Sequence, residues 1–426
     1  MKRFTKEENS WMFYDWGNSA YSIIISTAVF PLYYKASATE AGITGADSTA
    51  YLGYTIAIAT FILAMLGPIL GTIADYRGNK KKFFRFFAAL GVVATAALSL
   101  IPPEQWLLLL IIYTITVLGS AGSNVFYDAF LVDVSSEERM DMVSSRGFSL
   151  GYIGSTIPFI VSIAIIISAQ NGILPLSASA ASRISFIITA VWWGIFTLPV
   201  LRNVEQRYFI EKEKHPVAKS VKRLAETFKD IRKYKGLFLF LLAYFFYIDG
   251  VGTIITMSTA YGTDLGISST NLLVILFATQ VAAAPFAILY GRLADRFTGK
   301  FMLYIGIIIY IIVCIYAYFM NSAMDFWILA MLVATSQGGI QALSRSYFAK
   351  LVPKEKSNEF FGFYNIFGKF ASIMGPLLVG ATAQVTGSSS HGVFSLIFLF
   401  IAGLILLSRV PDPKASIPVP GNIKTL

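Results

Sequence analysis

The chain has 426 residues, enough by length for two or three soluble domains. Yet 56% of them are hydrophobic and 14% are charged, where soluble proteins carry about 25% charge, and the mean hydropathy is +0.65. That balance excludes an ordinary soluble protein, and the net charge of +10 would suit a nucleic-acid binder only if it were gathered on one surface.

It is spread along the chain instead. Stretches of roughly 20 residues with little or no charge are candidates to cross a bilayer, and they recur, for example from Ile101 to Val125, where Glu104 is the one charged residue, and from Phe301 to Ala323, which has none. Twelve spans fit near residues 12–34, 50–75, 85–101, 105–133, 145–168, 183–201, 236–261, 268–295, 301–320, 325–350, 358–384 and 391–409. With both termini on one side, only Lys35 and Arg183 of the 34 basic residues fall on the other. This positive-inside bias puts both termini in the cytoplasm. The basic charge therefore reports topology, and nucleic acid is not an expected partner. The opening Met1-Lys-Arg-Phe-Thr-Lys is too polar to begin a cleavable signal peptide. Cys314, the single cysteine, lies inside a span and is expected to be buried, so no disulfide forms within the chain.

In chain order, span one opens with Trp11-Met-Phe-Tyr14-Asp15-Trp16-Gly17-Asn18-Ser19. Its aromatic rings suit a membrane interface, and Asp15 and Asn18, three apart, share a helical face. Asp15 is either an interfacial acid or a cavity-facing acid that binds a cation or proton. Span two ends in Gly71-Thr-Ile-Ala-Asp75-Tyr-Arg77-Gly78-Asn-Lys80, and the pattern returns 220 residues later as Gly291-Arg-Leu-Ala-Asp295-Arg296-Phe-Thr-Gly299-Lys300. Such a recurrence, at the same place in each half, marks a duplicated transporter.

Span four carries Asn124 and Asp128, the acid about two turns from the following loop and thus inside the hydrocarbon, where an ionisable group needs a cavity or a partner. In span five, Gly147 and Gly151 form a pair that lets a neighbouring backbone come close. Arg146 beside them is a candidate partner for Asp128, with a lipid headgroup as the alternative. Residues 202–235 hold eleven basic residues and the helical repeat Val217, Val221, Leu224, Phe228 and Ile231. They read as an amphipathic helix on the anionic inner leaflet, or as a partner-docking helix.

The second half echoes the first. Asp249 falls about midway through span seven, and a shift of 217 residues maps Asp128 onto Arg345, Asp133 onto Lys350 and Glu138 onto Glu355. Opposite charges thus stand at equivalent depths on spans four and ten, where Gln341 lies one turn before Arg345. Lys369, about seven residues into span eleven, either snorkels to the surface or joins a site. The chain has no GxxxxGK[ST] phosphate loop, no HExxH and no Cys/His cluster, and His215 and His391 are both in loops. ATP-driven pumping, a resident metal, a cofactor and hydrolytic catalysis are therefore not expected; the chain does not read as an enzyme.

The two six-span halves with their Asp75 and Asp295 loops resemble the major facilitator superfamily. More narrowly, Tyr14-Asp15-Trp16-Gly17-Asn18-Ser19-Ala20, Ser144-Ser-Arg-Gly-Phe-Ser-Leu-Gly-Tyr-Ile-Gly154, Asp249-Gly250-Val251 and Gly338-Gly-Ile-Gln-Ala-Leu-Ser-Arg-Ser346 resemble the vacuolar amino-acid effluxer (autophagy-related) branch and its bacterial relatives. Gly17, Asp128 and Val132 depart from residues usual in that branch. The resemblance implies export of neutral amino acids and, with bacterial relatives, a place in a bacterial inner membrane.

The expected architecture is all-α, with twelve transmembrane helices in two pseudo-symmetric six-helix bundles. An N-terminal bundle covers 1–201, the linker 202–235, a C-terminal bundle 236–409 and a cytoplasmic tail 410–426. The expected function is alternating-access transport of a small zwitterion by a monomer in contact with membrane lipids. Substrate falls to Asn18, Asn124, Asp128, Gln341 and Arg345, and the proton to Asp15 and Asp249. Asp128 and Arg345 either hold the two charges of the zwitterion or pair with each other when the site is empty. Asp75, Arg77, Asp295 and Arg296 are the expected gate. By pseudo-symmetry Asp75 approaches the start of span eleven and Asp295 that of span five, where an acid meets the positive end of a helix dipole. Two other readings are a lipid or lysophospholipid transporter of the same fold and a non-transporting receptor or scaffold.

Overall fold

The computed structural model describes residues 3–211, 234–264, 267, 269–320 and 322–411, with 222 and 226 between them. The apolar stripe of the amphipathic helix expected over 202–235, and all but the start of the tail, lie outside the described residues.

Helices follow the apolar runs closely. Span two is Gly45–Ala74, span three Asn79–Leu98, span four Trp106–Ala129 and span five Met140–Gln170. Span six is Ala178–Asn203, span seven Lys235–Asp264, span eight Ser269–Arg296 and span nine Gly299–Phe319. Span ten is Ala323–Leu351 and span eleven Ser357–Thr386, while span twelve runs in two pieces, Ser389–Ser395 and Ile397–Ser408. Span one begins at Lys6, where Thr5 and Glu8 form a reciprocal cap that satisfies two backbone N–H groups. It continues to Glu40.

Ten helices among the described residues are long and apolar enough to cross a membrane. The other two expected spans have separate reasons for falling short. Span three opens with Asn-Lys-Lys-Lys-Phe-Phe-Arg, so its first turns are too charged. Span one is broken into α, π and α pieces, with a π-helix over Tyr21–Ala28. There Thr27 Oγ1 donates to the Ser22 carbonyl five residues back, 2.9 Å away, the same register as the widened backbone. Such segments inside membrane helices often sit where function needs an irregular helix.

Large apolar side chains such as Leu32, Phe61, Val93 and Leu377 are exposed, an arrangement that suits lipid rather than water. Inside the N-terminal bundle, Phe30 stacks on Tyr113 at 4.2 Å between centroids, and Tyr21 lies against Trp193 at 5.4 Å. Both ends of the described chain come to the end of the molecule that holds the Asp75 loop. Glu8 pairs with Arg139 of the loop between spans four and five at 2.7 Å, and Lys300 holds the Val410 carbonyl at 2.6 Å. At the opposite end, the Ser37 hydroxyl meets the Pro103 carbonyl.

Candidate functional site between the bundles

Arg345 of span ten is the centre of the site. Its neighbours on the helix, Ser344 and Ser346, are as buried as it is, so this turn faces protein on all sides. The guanidinium crosses to the N-terminal bundle. Its Nη2 is 3.0 Å from Asp15 Oδ2 of span one, and its Nη1 is 3.2 Å from Asp128 Oδ1 of span four. From span five, Ser144 accepts from Nε at 2.9 Å and, through its carbonyl, from Nη2 at 3.2 Å. Trp11 and Phe148 cover the guanidinium faces at 4.6 and 4.5 Å. Span five comes this near because residue 147 is glycine. A Cβ there would stand 2.5 Å from Asp15 Oδ2 and 3.2 Å from Arg345 Nη2. Gly151 likewise lies on Ser19 and the Asp15 carbonyl, so the expected close-packing pair joins span five to span one.

One positive and two negative charges leave the cluster one negative charge over. Each acid keeps 13% of its side chain accessible against 4% for Arg345, so the surplus lies on the reachable side. Around it, Asn18 Nδ2 donates to Asn124 Oδ1 at 2.9 Å, while Asn18 Oδ1 is buried without a partner among the described residues. Asn365 of span eleven reaches Asp128 Oδ2 at 3.5 Å. Gln341 turns back to the Gln337 carbonyl at 3.0 Å. Asp15, Asn18, Asn124, Asp128, Gln341 and Arg345 thus gather where spans one, four and ten approach one another.

Arg146 does not join them. It is exposed with its guanidinium 4.8 Å over Phe4, pointing to the other side of span five from the Gly147 face that meets Asp15. Asp249 is also apart. It is fully buried inside the C-terminal bundle, 3.5 Å from Thr253 Oγ1, with Oδ2 unpartnered among the described residues. Span eleven lies directly on it, since a Cβ at Gly375 would come 2.9 Å from Asp249 Oδ1.

At the loop end, Asp75 meets span eleven as the repeat implies. Its Oδ1 accepts from the Asn358 backbone and side chain, both at 2.9 Å, and its Oδ2 from the Glu359 N–H at 3.3 Å. The two backbone N–H groups are ones that the first turn of a helix leaves without an intrahelical acceptor. Lys80 is fully buried beside it, bonded to Asp133 Oδ2 at 2.6 Å and Ser357 Oγ at 3.0 Å. Arg77 is exposed and lies 3.6 Å from Glu211.

The second loop departs from this plan. Asp295 is exposed and makes no hydrogen bond to span five among the described residues. The shift that maps Asp128 onto Arg345 maps Asp141 onto Asn358, so Asp295 meets a like charge where Asp75 meets an amide. Asp141 bonds Lys350 at 2.6 Å and the Ser346 hydroxyl at 2.7 Å instead. Arg296 lies over Phe297, its own neighbour, at 5.5 Å.

A strap that the sequence did not announce closes the first corner. Residues 204–211, the start of the linker, fold over the Asp75 loop. Ile210 N–H bonds the Asp75 carbonyl at 2.8 Å and Arg77 N–H bonds the Ile210 carbonyl at 3.1 Å. Asp133 Oδ1 accepts from the Arg207 and Tyr208 N–H groups at 2.8 and 3.0 Å.

The sequence matches the family of vacuole effluxer Atg22-like proteins over residues 4–417. The chain belongs to that family. It is 71% identical over 416 residues to YxiO, an MFS-type transporter of Bacillus subtilis (strain 168), covering 98% of this chain and 97% of the relative. Autophagy-related protein 22 of Kluyveromyces lactis is 25% identical over 392 residues, 83% of this chain and 78% of that protein. Among solved structures, the proton:xylose symporter XylE bound to 6-bromo-6-deoxy-D-glucose aligns with a TM-score of 0.72 at 12% identity, over 96% of each chain. FucP in the outward conformation aligns at 0.69 and 13% identity, over 96% of this chain and 98% of its own. Likeness at such identities carries the fold, that of the major facilitator superfamily. This Atg22-like chain is an integral, multi-pass MFS-type transporter; its family and structural neighbours are transporters and not enzymes.

Proposed function

We propose that this transporter moves a small zwitterionic solute, such as a neutral amino acid, by alternating access with proton coupling. The observation that carries the reading is the Arg345 guanidinium held between Asp15 and Asp128. The contact joins the two bundles and has one negative charge to spare. A proton or a solute ammonium supplies the missing positive charge. An ammonium at Asp128 competes with Arg345 for the same carboxylate and so loosens the bundles from each other. A solute shifts a conformational equilibrium only through such a difference between states.

The excess of basic residues at the Asp75-loop end supports a cytoplasmic position for that end and for both termini, and the bacterial relative YxiO supports a cell membrane. The latches at Asp75, Lys80 and Asp141 would then hold the cytoplasmic side shut. Asp249 suits the proton, because a buried carboxylate without a countercharge costs least when protonated. The family's effluxer description supports export.

Proteoliposome uptake of a neutral amino-acid panel under an imposed pH gradient tests the reading. Wild type is expected to accumulate at least one of them, Asp249→Asn to exchange it without pH-driven accumulation, and Asp128→Asn to do neither. No flux of any panel member in wild type, or pH-driven uptake undiminished in Asp249→Asn, would count against it.

A further inference from the structure

Asp249 lies apart from the Arg345 cluster, so a proton bound there has to arrive by a route of its own. The acid is fully buried midway through span seven, with Oδ2 unpartnered among the described residues. Toward the Asp75-loop end the way is filled by rings. Tyr244 stacks on Tyr364 at 4.3 Å and Tyr364 on Phe348 at 4.9 Å, with Tyr247 edge-on to Tyr244 at 5.7 Å. To the sides, Gly250 lies on the Phe400 ring of span twelve, and Gly375 of span eleven covers both Asp249 and Thr253. The titratable groups of these elements point elsewhere. Tyr247 bonds the Ser344 hydroxyl at 2.7 Å, and Arg345 of span ten crosses to the other bundle. Lys369 of span eleven lines a separate pocket against span two, and Ile397–Ser408 of span twelve has no titratable side chain.

The remaining direction is open. One turn further along span seven, the Thr253 hydroxyl is 3.5 Å from Asp249 Oδ1, and Thr253 also lines a cavity inside the C-terminal bundle. Along span seven the cavity extends from Thr253 to Tyr261, three residues short of the helix end at Asp264. Along span ten it extends from Phe326, three residues past the helix start at Ala323, to Gln337. Span seven starts beside span eleven's first turn, where Tyr234 meets Phe360 at 5.0 Å, so the cavity leads toward the end opposite the Asp75 loop. Its volume, taken at water centres, is about 70 Å³. One water needs about 10–15 Å³, so there is room for several. Waters also need polar partners, and Thr253, Ser258, Thr279, Gln280 and Gln337 supply them among otherwise apolar walls. A buried carboxyl without a partner stabilises nothing. At this depth it marks a path for charge more often than a structural contact.

We propose that this cavity is the inlet through which a proton reaches Asp249 from the end opposite the Asp75 loop, with Thr253 as the last relay. A hydronium in the cavity gives its proton to the Thr253 oxygen while the hydroxyl's own proton passes to Asp249 Oδ1. The carboxylate is neutralised, the hydroxyl is re-formed and a water stays behind. The inference rests on the reading of Asp249 as the proton site and adds a direction to it. The acid loads from the outer end while the Asp75 latch is closed, and the Tyr244, Tyr364 and Phe348 rings have to part before the proton leaves at the other end. Those rings come from spans seven, eleven and ten, and span eleven is the helix that Asp75 holds. Release is thereby tied to opening of the latch.

Infrared spectroscopy of the purified full chain tests it, by following the protonated-carboxyl band that Asp249→Asn removes. After a rapid drop in pH that band is expected to grow in wild type. In Thr253→Val, which keeps the shape and loses the hydroxyl, it should grow about tenfold more slowly, one hydrogen bond's worth of barrier. Thr253→Ser should restore the wild-type rate. Ser258→Cys in a Cys314→Ala background gives a second arm, since a bulky thiol reagent at position 258 fills the cavity and should slow the band at least as much. An unchanged rate in Thr253→Val or in the filled cavity, or a Thr253→Ser as slow as Thr253→Val, overturns the inlet and leaves Asp249 as the proton site. Absence of any Asp249-dependent band across the pH range overturns the proton-site reading and the inlet together.

Discussion

The two corners at the loop end are built from the same repeat and end in different chemistry. In both, the first glycine of the motif brings a span against the opposite bundle, Gly71 on the Asn358 backbone and Gly291 on Ser145 and the Asp141 carbonyl. In the first corner the acid then accepts three N–H bonds from the start of span eleven. In the second, Asp141 replaces the amide, Asp295 is left exposed, and Lys350 crosses from span ten to neutralise Asp141. Duplication preserves the close approach of backbones. The charge of one residue on the facing helix decides whether the acid becomes a latch.

That contrast can be broken in order of size. Lys80→Ala removes a fully buried ammonium and leaves Asp133 uncompensated, so it should cost about 3–5 kcal/mol, the usual penalty for half a buried ion pair. Chemical unfolding of the purified protein measures it, and a cost equal to that of Lys350→Ala would erase the difference between the corners. Lys350 is partly accessible, and its loss should cost less. Asp75→Asn should follow at about 1–3 kcal/mol, because a carboxylate that accepted three N–H groups becomes an amide with one acceptor. It should also raise labelling of cysteines introduced behind the latch. Asp295→Asn should leave both readouts within about 0.5 kcal/mol of wild type, as expected for an exposed position.

Asp141→Asn sharpens the comparison furthest, since it gives the second corner the amide of the first while leaving Lys350 without its carboxylate. Asp295 should then start to matter, and a double-mutant cycle between positions 141 and 295 should show coupling of about 0.5–3 kcal/mol. Additivity at these positions would mean that something other than the like charge keeps Asp295 away.

Much of this was legible beforehand, and the misses have physical causes. The spans were readable because bilayer thickness sets their length and composition. The Asp75 contact followed from the repeat, and the Asp128–Arg345 pair from opposite charges at matched depth. Asp15 joining the same guanidinium was not readable, because the approach of span five to span one depends on Gly147 having no side chain in three dimensions. Asp249 was read as a proton site lining the central cavity; it is instead buried within its own bundle against span eleven, an approach that depends on Gly375. The Asp295 expectation failed because the deciding residue, Asp141, lies outside the loop motif. Arg146 is one residue from Gly147 and therefore turns about 100° away around the helix. The strap over 204–211 is made by backbone bonds, which leave no side-chain signature.

The central claim is that a single guanidinium from one half, shared between two acids of the other, is the contact that substrate breaks. Substrate-induced proton movement, followed with a pH-sensitive dye in proteoliposomes, tests it most directly across wild type, Asp128→Asn and Asp15→Asn. The account predicts a signal in wild type for at least one neutral amino acid and none in either variant, with both variants still folded. An undiminished signal in both variants would contradict it.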